Sequence, residues 1–221
     1  MNLITDPWIP IVRADGTREK IAPWQIAEQQ NPVMEIAAPR PDFQGALYQF
    51  LIGLLQTVAP PEDAREWAEK WQAVPDAEEL RARLEKISDA FELINPNGAA
   101  FLQDFQMPEG EQKELSALLI EAPGGKTIKD NLDHFIKAGT VEGICESCAA
   151  TALFTLQTNA PSGGVGHRVG LRGGGPMTTL LRPENRSANL WQKLWLNVLT
   201  VDEAAPASLS VSPRVFSWCA P

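Results

Sequence analysis

The chain has 221 residues, 44% of them hydrophobic, and a net charge of −9. That length supports one large domain or two small ones with real cores, and no run of about eighteen apolar residues is present to cross a membrane. The opening MNLITDPWIPIVRADG lacks a basic start followed by an apolar stretch, which excludes a secretory signal, and only three cysteines, Cys145, Cys148 and Cys219, point to a reducing, cytoplasmic setting.

LITDPWIPIVRADGTREKI alternates apolar and polar residues around the turn signal Ala14-Asp15-Gly16. It predicts a strand hairpin, with Pro7 and Pro10 marking a sheet edge. PDFQGALYQFLIGLLQTVAPP is the clearest helix. Phe43, Ala46, Leu47, Phe50, Leu51, Leu54, Leu55 and Val58 follow the i, i+3, i+4, i+7 pattern of a buried face. Pro41 suits its first turn, and Pro60-Pro61 stop it.

Two acidic amphipathic helices are predicted over about 62–73 and 76–90, with Trp67 and Trp71 packing at i, i+4 rather than offering a stacking platform for bases. Residues 91–110 read as strand and loop, and a short helix is predicted near 111–120. Residues 121–147 have no sustained period and read as a long irregular loop, of the kind that carries function. CAATALFTLQT predicts a helix of two to three turns. MTTLLRP reads as a strand. SANLWQKLWLNVLT reads as a helix capped by Ser187, burying Leu190, Trp191, Leu194, Trp195, Val198 and Leu199. The fold class is α+β.

The negative charge is unevenly spread. Residues 1–120 carry ten Lys/Arg and twenty Asp/Glu, whereas residues 160–190 hold four arginines and one acid. Bulk acidity therefore belongs to the first half and leaves room for a local anion site later in the chain.

Between Ala160 and Pro176, APSGGVGHRVGLRGGGP places seven of the sixteen glycines in seventeen residues. It is not a dinucleotide fingerprint, because Val169 stands where the third glycine belongs. APGGKT, further upstream, is not a phosphate loop, because Ile120 stands where that motif starts with glycine. Glycine-rich main chain can still lie against a groove with its N–H groups aimed at acceptors, while Arg168 and Arg172 hold phosphates. The plain alternative is a set of tight turns and bulges. Cys145-Glu-Ser-Cys148 is a CxxC at a helix start. It can supply two thiolates to a tetrahedral zinc, with His134, His167 and Cys219 as further candidates, or can be two packed cysteines. A redox role lacks the expected context. No catalytic set of residues is convincing.

MNLITDPWIPI, LIGLLQTVAPP, the CxxC before AATALF, and NAPSGGVGHRVGLRGGGPMTTLLR, in that order, resemble the N-terminal part of the CasA family. CasA is the large subunit of the type I-E CRISPR surveillance complex, Cascade. The likeness runs from Met1 to about Thr200. It implies a mixed α+β N-terminal domain followed by a C-terminal helical bundle for which 221 residues leave no room. It also implies a subunit, not itself a nuclease, that examines double-stranded DNA for a protospacer-adjacent motif, helps open the duplex and recruits the helicase-nuclease.

By resemblance, Ser162, Gly163, Gly164, Val165 and Gly166 form the loop that meets the motif from the minor-groove side. His134, Phe135, Ile136 and Lys137 match a loop near the crRNA 5′ handle and the motif, with Phe135 its aromatic. Cys145 and Cys148 match half of a zinc site, the second pair lying further along in the family. The implied partners are other Cascade subunits, crRNA, target DNA and the helicase-nuclease. The competing readings are a zinc-dependent or nucleotide-binding enzyme and a purely structural scaffold.

Overall fold

The computed structural model describes residues 1–104, 112–122, 124–132, 134, 137, 139–159, 170, 179–201 and 211–220. The chain forms two compact units. One joins Met1–Phe105 to Thr179–Pro221, and the other is Gln106–Thr178.

The first unit is built on a three-stranded antiparallel sheet of β1 (Ile9–Arg13), β2 (Arg18–Ile21) and β3 (Val33–Ile36), in the order β2-β1-β3. The predicted hairpin is β1–β2, with Ile9 opposite Ile21 and Val12 opposite Arg18. Gly16 closes its turn at φ +87°, a left-handed conformation that side chains other than glycine, Asn or Asp rarely adopt. Asp15 accepts a hydrogen bond from the Thr17 N–H at 2.8 Å.

β1 is the central strand, not an edge, which corrects the reading of Pro10. The Pro10 carbonyl accepts from Ala37 N–H at 2.8 Å. In an antiparallel strand the nitrogen and carbonyl of one residue face the same neighbour. Pro10 therefore turns its missing donor towards the end of β3, where the ladder stops. The sequence reading also missed β3, four residues paired with β1 across a bulge at Val12/Arg13.

α1 (Pro41–Val58) buries all eight residues of the predicted stripe. Its Phe50 ring sits at the centre of an edge-to-face cluster, 5.3 Å from Trp8, 6.1 Å from Phe91 and 5.9 Å from Phe101. α2 (Ala64–Gln72) and α3 (Ala77–Glu85) are the acidic helices, N-capped by Asp63 and Asp76. Their exposed faces carry i, i+4 pairs such as Arg65–Glu69 and Arg83–Glu79, both at 2.9 Å. Trp67 stacks on Trp71 with centroids 5.7 Å apart and donates its indole N–H to the Val198 carbonyl, so the pair packs rather than stands free.

α6 (Leu190–Trp195) is shorter than expected and begins two residues later. Asn189, not Ser187, is its cap. The Asn189 side chain accepts from Gln192 N–H at 2.9 Å, and the Gln192 side chain accepts from Asn189 N–H at 3.2 Å, a reciprocal capping box. Tight bonds from Asn197 to Leu194 and from Val198 to Trp195 end the helix. Leu190, Trp191, Leu194, Trp195 and Val198 are buried as predicted, but Leu199 is 49% exposed. Its main chain is gripped at both N–H and C=O by the Gln56 amide, which leaves the side chain pointing outward. Residues 179–183 form no strand, and within 91–104 the strand-like pairing is the isolated bridge Asn2–Glu92.

The second unit contains α5 (Glu146–Asn159) packed on a 3₁₀ turn at Leu115–Leu118, together with the short helix α4 (Gly125–Lys129). α4 interrupts what the sequence suggested was an irregular stretch. α5 is longer than predicted and buries small and hydroxyl side chains: Ala150, Thr151, Ala152, Thr155 and Thr158. Burial of the threonines is tolerated because each hydroxyl donates to the carbonyl four residues earlier, at 2.7–2.8 Å. Among the described residues, no helix is long and apolar enough to cross a membrane.

Candidate nucleic-acid interface

α5 organises the candidate residues of the second unit. Its first turn carries the cysteine pair. The Cys145 carbonyl accepts from Ala149 N–H at 2.8 Å, which starts the helix, and Cys148 lies three residues on. Cys145 is exposed and Cys148 half-buried, and none of the three cysteines is in a disulfide. The last turn of α5 ends at Asn159, one residue before the glycine-rich stretch opens. A helix of 14 residues is about 20 Å long. Cys145 and Asn159 therefore lie at opposite ends of one rod.

In sequence the HFIK stretch falls between two left-handed residues, Asn131 at φ 53° and Gly139 at φ 74°. These turns allow the chain to reverse on either side of it. Gly139 N–H donates to the Glu114 carboxylate at 2.8 Å, and Thr140 donates its hydroxyl to the Lys137 carbonyl at 2.7 Å. His134 and Lys137 are both exposed. Phe135, Ile136, Ser162, Gly163, Gly164, Val165, Gly166, Arg168 and Arg172 lie outside the described residues, as does His167.

Among the described residues, no three His, Cys, Asp or Glu side chains are gathered as metal ligands. In type and spacing, the CxxC matches two of the four donors a structural zinc takes. Cys219 lies in the first unit, where burial pushes its thiol pKa up, the behaviour of an inert packed thiol.

The first unit holds one constellation that sequence reasoning missed. Glu35 on β3 accepts from the Tyr48 hydroxyl and from the Gln44 amide at 3.1 Å. Lys193 of α6, only 8% exposed, donates to the other Glu35 carboxylate oxygen at 3.0 Å and to the Met34 carbonyl at 2.7 Å. Arg182 approaches the same oxygen at 3.9 Å. Burial alone would raise the Glu35 pKa, but the Tyr48 and Lys193 hydrogen bonds and the Lys193 charge outweigh it and hold the carboxyl below its ordinary range. Burial and the Glu35 bond push the Tyr48 phenol well up. Perturbed groups often mark functional sites. Here the ammonium and carboxylate are bonded to each other and to main chain, which suits a tie between β3, α1 and α6. Lys193 and Glu35 are 158 residues apart in sequence, so no local spacing could have revealed them.

The profile of the CRISPR-associated protein Cse1 family (CRISPR_cse1) matches residues 2–220. The CasA/Cse1 protein of Thermus thermophilus is 28% identical over 214 residues, covering 93% of this chain and 41% of the relative. Thermobifida fusca Cse1 superposes with a TM-score of 0.71 at 25% identity, over 91% of this chain and 40% of that one. A chain of a CRISPR RNA-guided surveillance complex shares the fold, with a TM-score of 0.55 at 17% identity, over 74% of this chain and 35% of that one. The α+β platform and the profile together define a CRISPR-associated protein. Over nearly its whole length, the chain belongs to the Cse1 family. It spans about two fifths of the length of the relatives it matches.

Proposed function

We propose that this chain is the N-terminal portion of a Cascade large subunit, a non-catalytic cytoplasmic component that reads the protospacer-adjacent motif in double-stranded DNA, helps open the duplex and recruits the helicase-nuclease. Its other partners are the remaining Cascade subunits and the crRNA 5′ handle. The observation that carries this reading is the family match over residues 2–220, combined with the glycine-rich stretch that follows α5 directly.

The chemistry is consistent with it. Ser162 to Gly166 bring main chain without bulk to the minor groove, whose donor and acceptor pattern is degenerate and suits a short, permissive motif. Arg168 and Arg172 hold backbone phosphates. His134 to Lys137 form a second contact, between the two left-handed turns. The net charge of −9 is tolerable where guide RNA and basic neighbouring subunits supply the affinity.

The test is a titration of the fully assembled complex on motif-bearing duplex. Gly164→Phe or Gly166→Phe should weaken binding by about tenfold or more, roughly 1.4 kcal/mol, because the added side chain holds the backbone off the groove floor. The melting temperature of the subunit should not change. Unaltered affinity in both variants would remove the groove-entry role.

Cys145 and Cys148 are proposed as two ligands of a structural zinc whose other two lie elsewhere in the full-length subunit. The 221-residue chain should then lose zinc readily to a mild chelator. One tightly retained zinc per chain, lost on Cys148→Ser, would instead point to a complete local site with the histidines.

A further inference from the structure

The C-terminal segment Val211–Ala220 is fastened to the first unit in an unusual way. Main-chain hydrogen bonds within the segment run from Phe216 to Ser212 at 2.8 Å and from Cys219 to Phe216 at 3.0 Å. Among the described residues, two of its rings pack on the rest of the unit. Phe216 is 5% exposed and meets the Phe91 ring edge-on at 5.2 Å. Trp218 meets Phe91 at 5.7 Å and Phe101 at 5.2 Å, and donates its indole N–H to the Ala90 carbonyl at 2.6 Å.

Phe91 and Phe101, which these rings cover, also anchor the N-terminal edge of the unit. Leu3 N–H donates to the Phe91 carbonyl at 2.9 Å, Leu93 N–H to the Met1 carbonyl at 2.9 Å, and Phe101 N–H to the Glu92 carbonyl at 2.8 Å. Asn2 adds side-chain bonds to the Ser88 carbonyl at 3.0 Å and to Glu92 at 2.9 Å. The two ends of the unit are thus fixed to each other through the turn at residues 88–93.

We propose that Val211–Ala220 is a strap that latches the N-terminal edge and opens with it as one cooperative segment, ahead of α1 and the sheet. Segments held by few side-chain anchors and local turns open at lower free energy than elements packed on several sides. α1 is packed along its whole buried stripe, whereas within residues 211–220 Phe216 alone is buried and five residues are exposed. Opening the strap uncovers Phe91 and Phe101 and leaves the bonds of Leu3, Leu93 and Phe101 without their cover.

Native-state hydrogen exchange on the 221-residue chain tests this. In the unmodified protein, the amides of Leu3, Leu93, Phe101, Phe216 and Cys219 should share one opening free energy, smaller than that of the α1 amides Leu51 and Leu55. Trp218→Ala should speed exchange of the first group by about 30-fold or more, given what loss of a packed aromatic typically does, and leave the α1 amides within about threefold. Trp218→Phe, which keeps a ring but loses the indole donor, should speed the same amides to a smaller extent. Equal acceleration in α1, failure of Trp218→Ala to fold, or no change at Leu3 and Leu93 would each overturn the proposal. The first two would make the strap part of the global core, and the third would uncouple it from the edge.

Discussion

Trp195→Ala should cost the first unit about 3–5 kcal/mol, the range for removing a large aromatic from a packed core. Trp195 is fully buried and stacks on Trp191 with centroids 5.2 Å apart at 13°. Its indole N–H reaches the Trp67 carbonyl at 2.9 Å, and the Lys70 ammonium lies 5.6 Å from its ring centroid. Trp191 makes the matching bond to the Lys70 carbonyl at 2.9 Å. α2 has no fully buried residue of its own, so these indoles are what hold it to α6. Set against a typical total of about 5–15 kcal/mol, the loss should leave the variant close to unfolding at room temperature. Trp195→Phe keeps most of the apolar contact and should cost far less, about 1–2 kcal/mol, chiefly for the missing donor. Urea unfolding followed by circular dichroism measures both. A loss below about 1 kcal/mol for Trp195→Ala, with an unchanged denaturant slope, would mean that α2 is held by something other than the indoles.

Lys193→Ala should be nearly as damaging, at about 2–3 kcal/mol. Removing one partner of a buried pair typically costs about 3–5 kcal/mol because the other charge stays buried. The lower figure applies because the Glu35 side chain is 34% exposed and keeps Tyr48 and Gln44 as donors. The pH dependence follows from the depressed Glu35 pKa. The carboxyl is more acidic folded than unfolded, so its contribution is fully present above the ordinary glutamate range. It is lost as pH falls through the folded value. Acid unfolding should therefore show a stability slope just below the usual glutamate pKa, and that slope should shrink in Lys193→Ala. Glu35→Gln in the same chain should recover part of the loss, since no unpaired carboxylate then remains. If the double variant is as unstable as the sum of the single ones, Lys193 acts by packing alone.

What could be read from the sequence depended on how local each cause was. α1 was legible residue by residue because its period, its N-terminal proline and its Pro-Pro stop all lie within one stretch. The cap of α6 was legible in principle. Ser187 and Asn189 are both good capping residues, but only Asn189 has a glutamine three positions on to close the box. Pro10 was misread because the edge rule concerns a donor facing a neighbouring strand, and which neighbour is present depends on β3, twenty-odd residues away. Glu35 and Lys193 had no local signal at all. The CxxC and the glycine stretch offer only their residue types, which say what thiolates and bare backbone can do. That α5 runs about 20 Å, from Glu146 to Asn159, became evident only in the structure.

The first unit is discontinuous, with Met1–Phe105 completed by Thr179–Pro221, and this sets an order of events during synthesis. When residue 105 leaves the ribosome, α2 has neither Trp191 nor Trp195 to receive it, Glu35 has no ammonium, and Phe91 has no Trp218 above it. At about 5–20 residues per second, more than a hundred further residues need roughly 6–20 s to emerge. Over that interval the nascent chain carries the apolar stripe of α1 without the helix that closes over it, and it is then that a chaperone has most to hold.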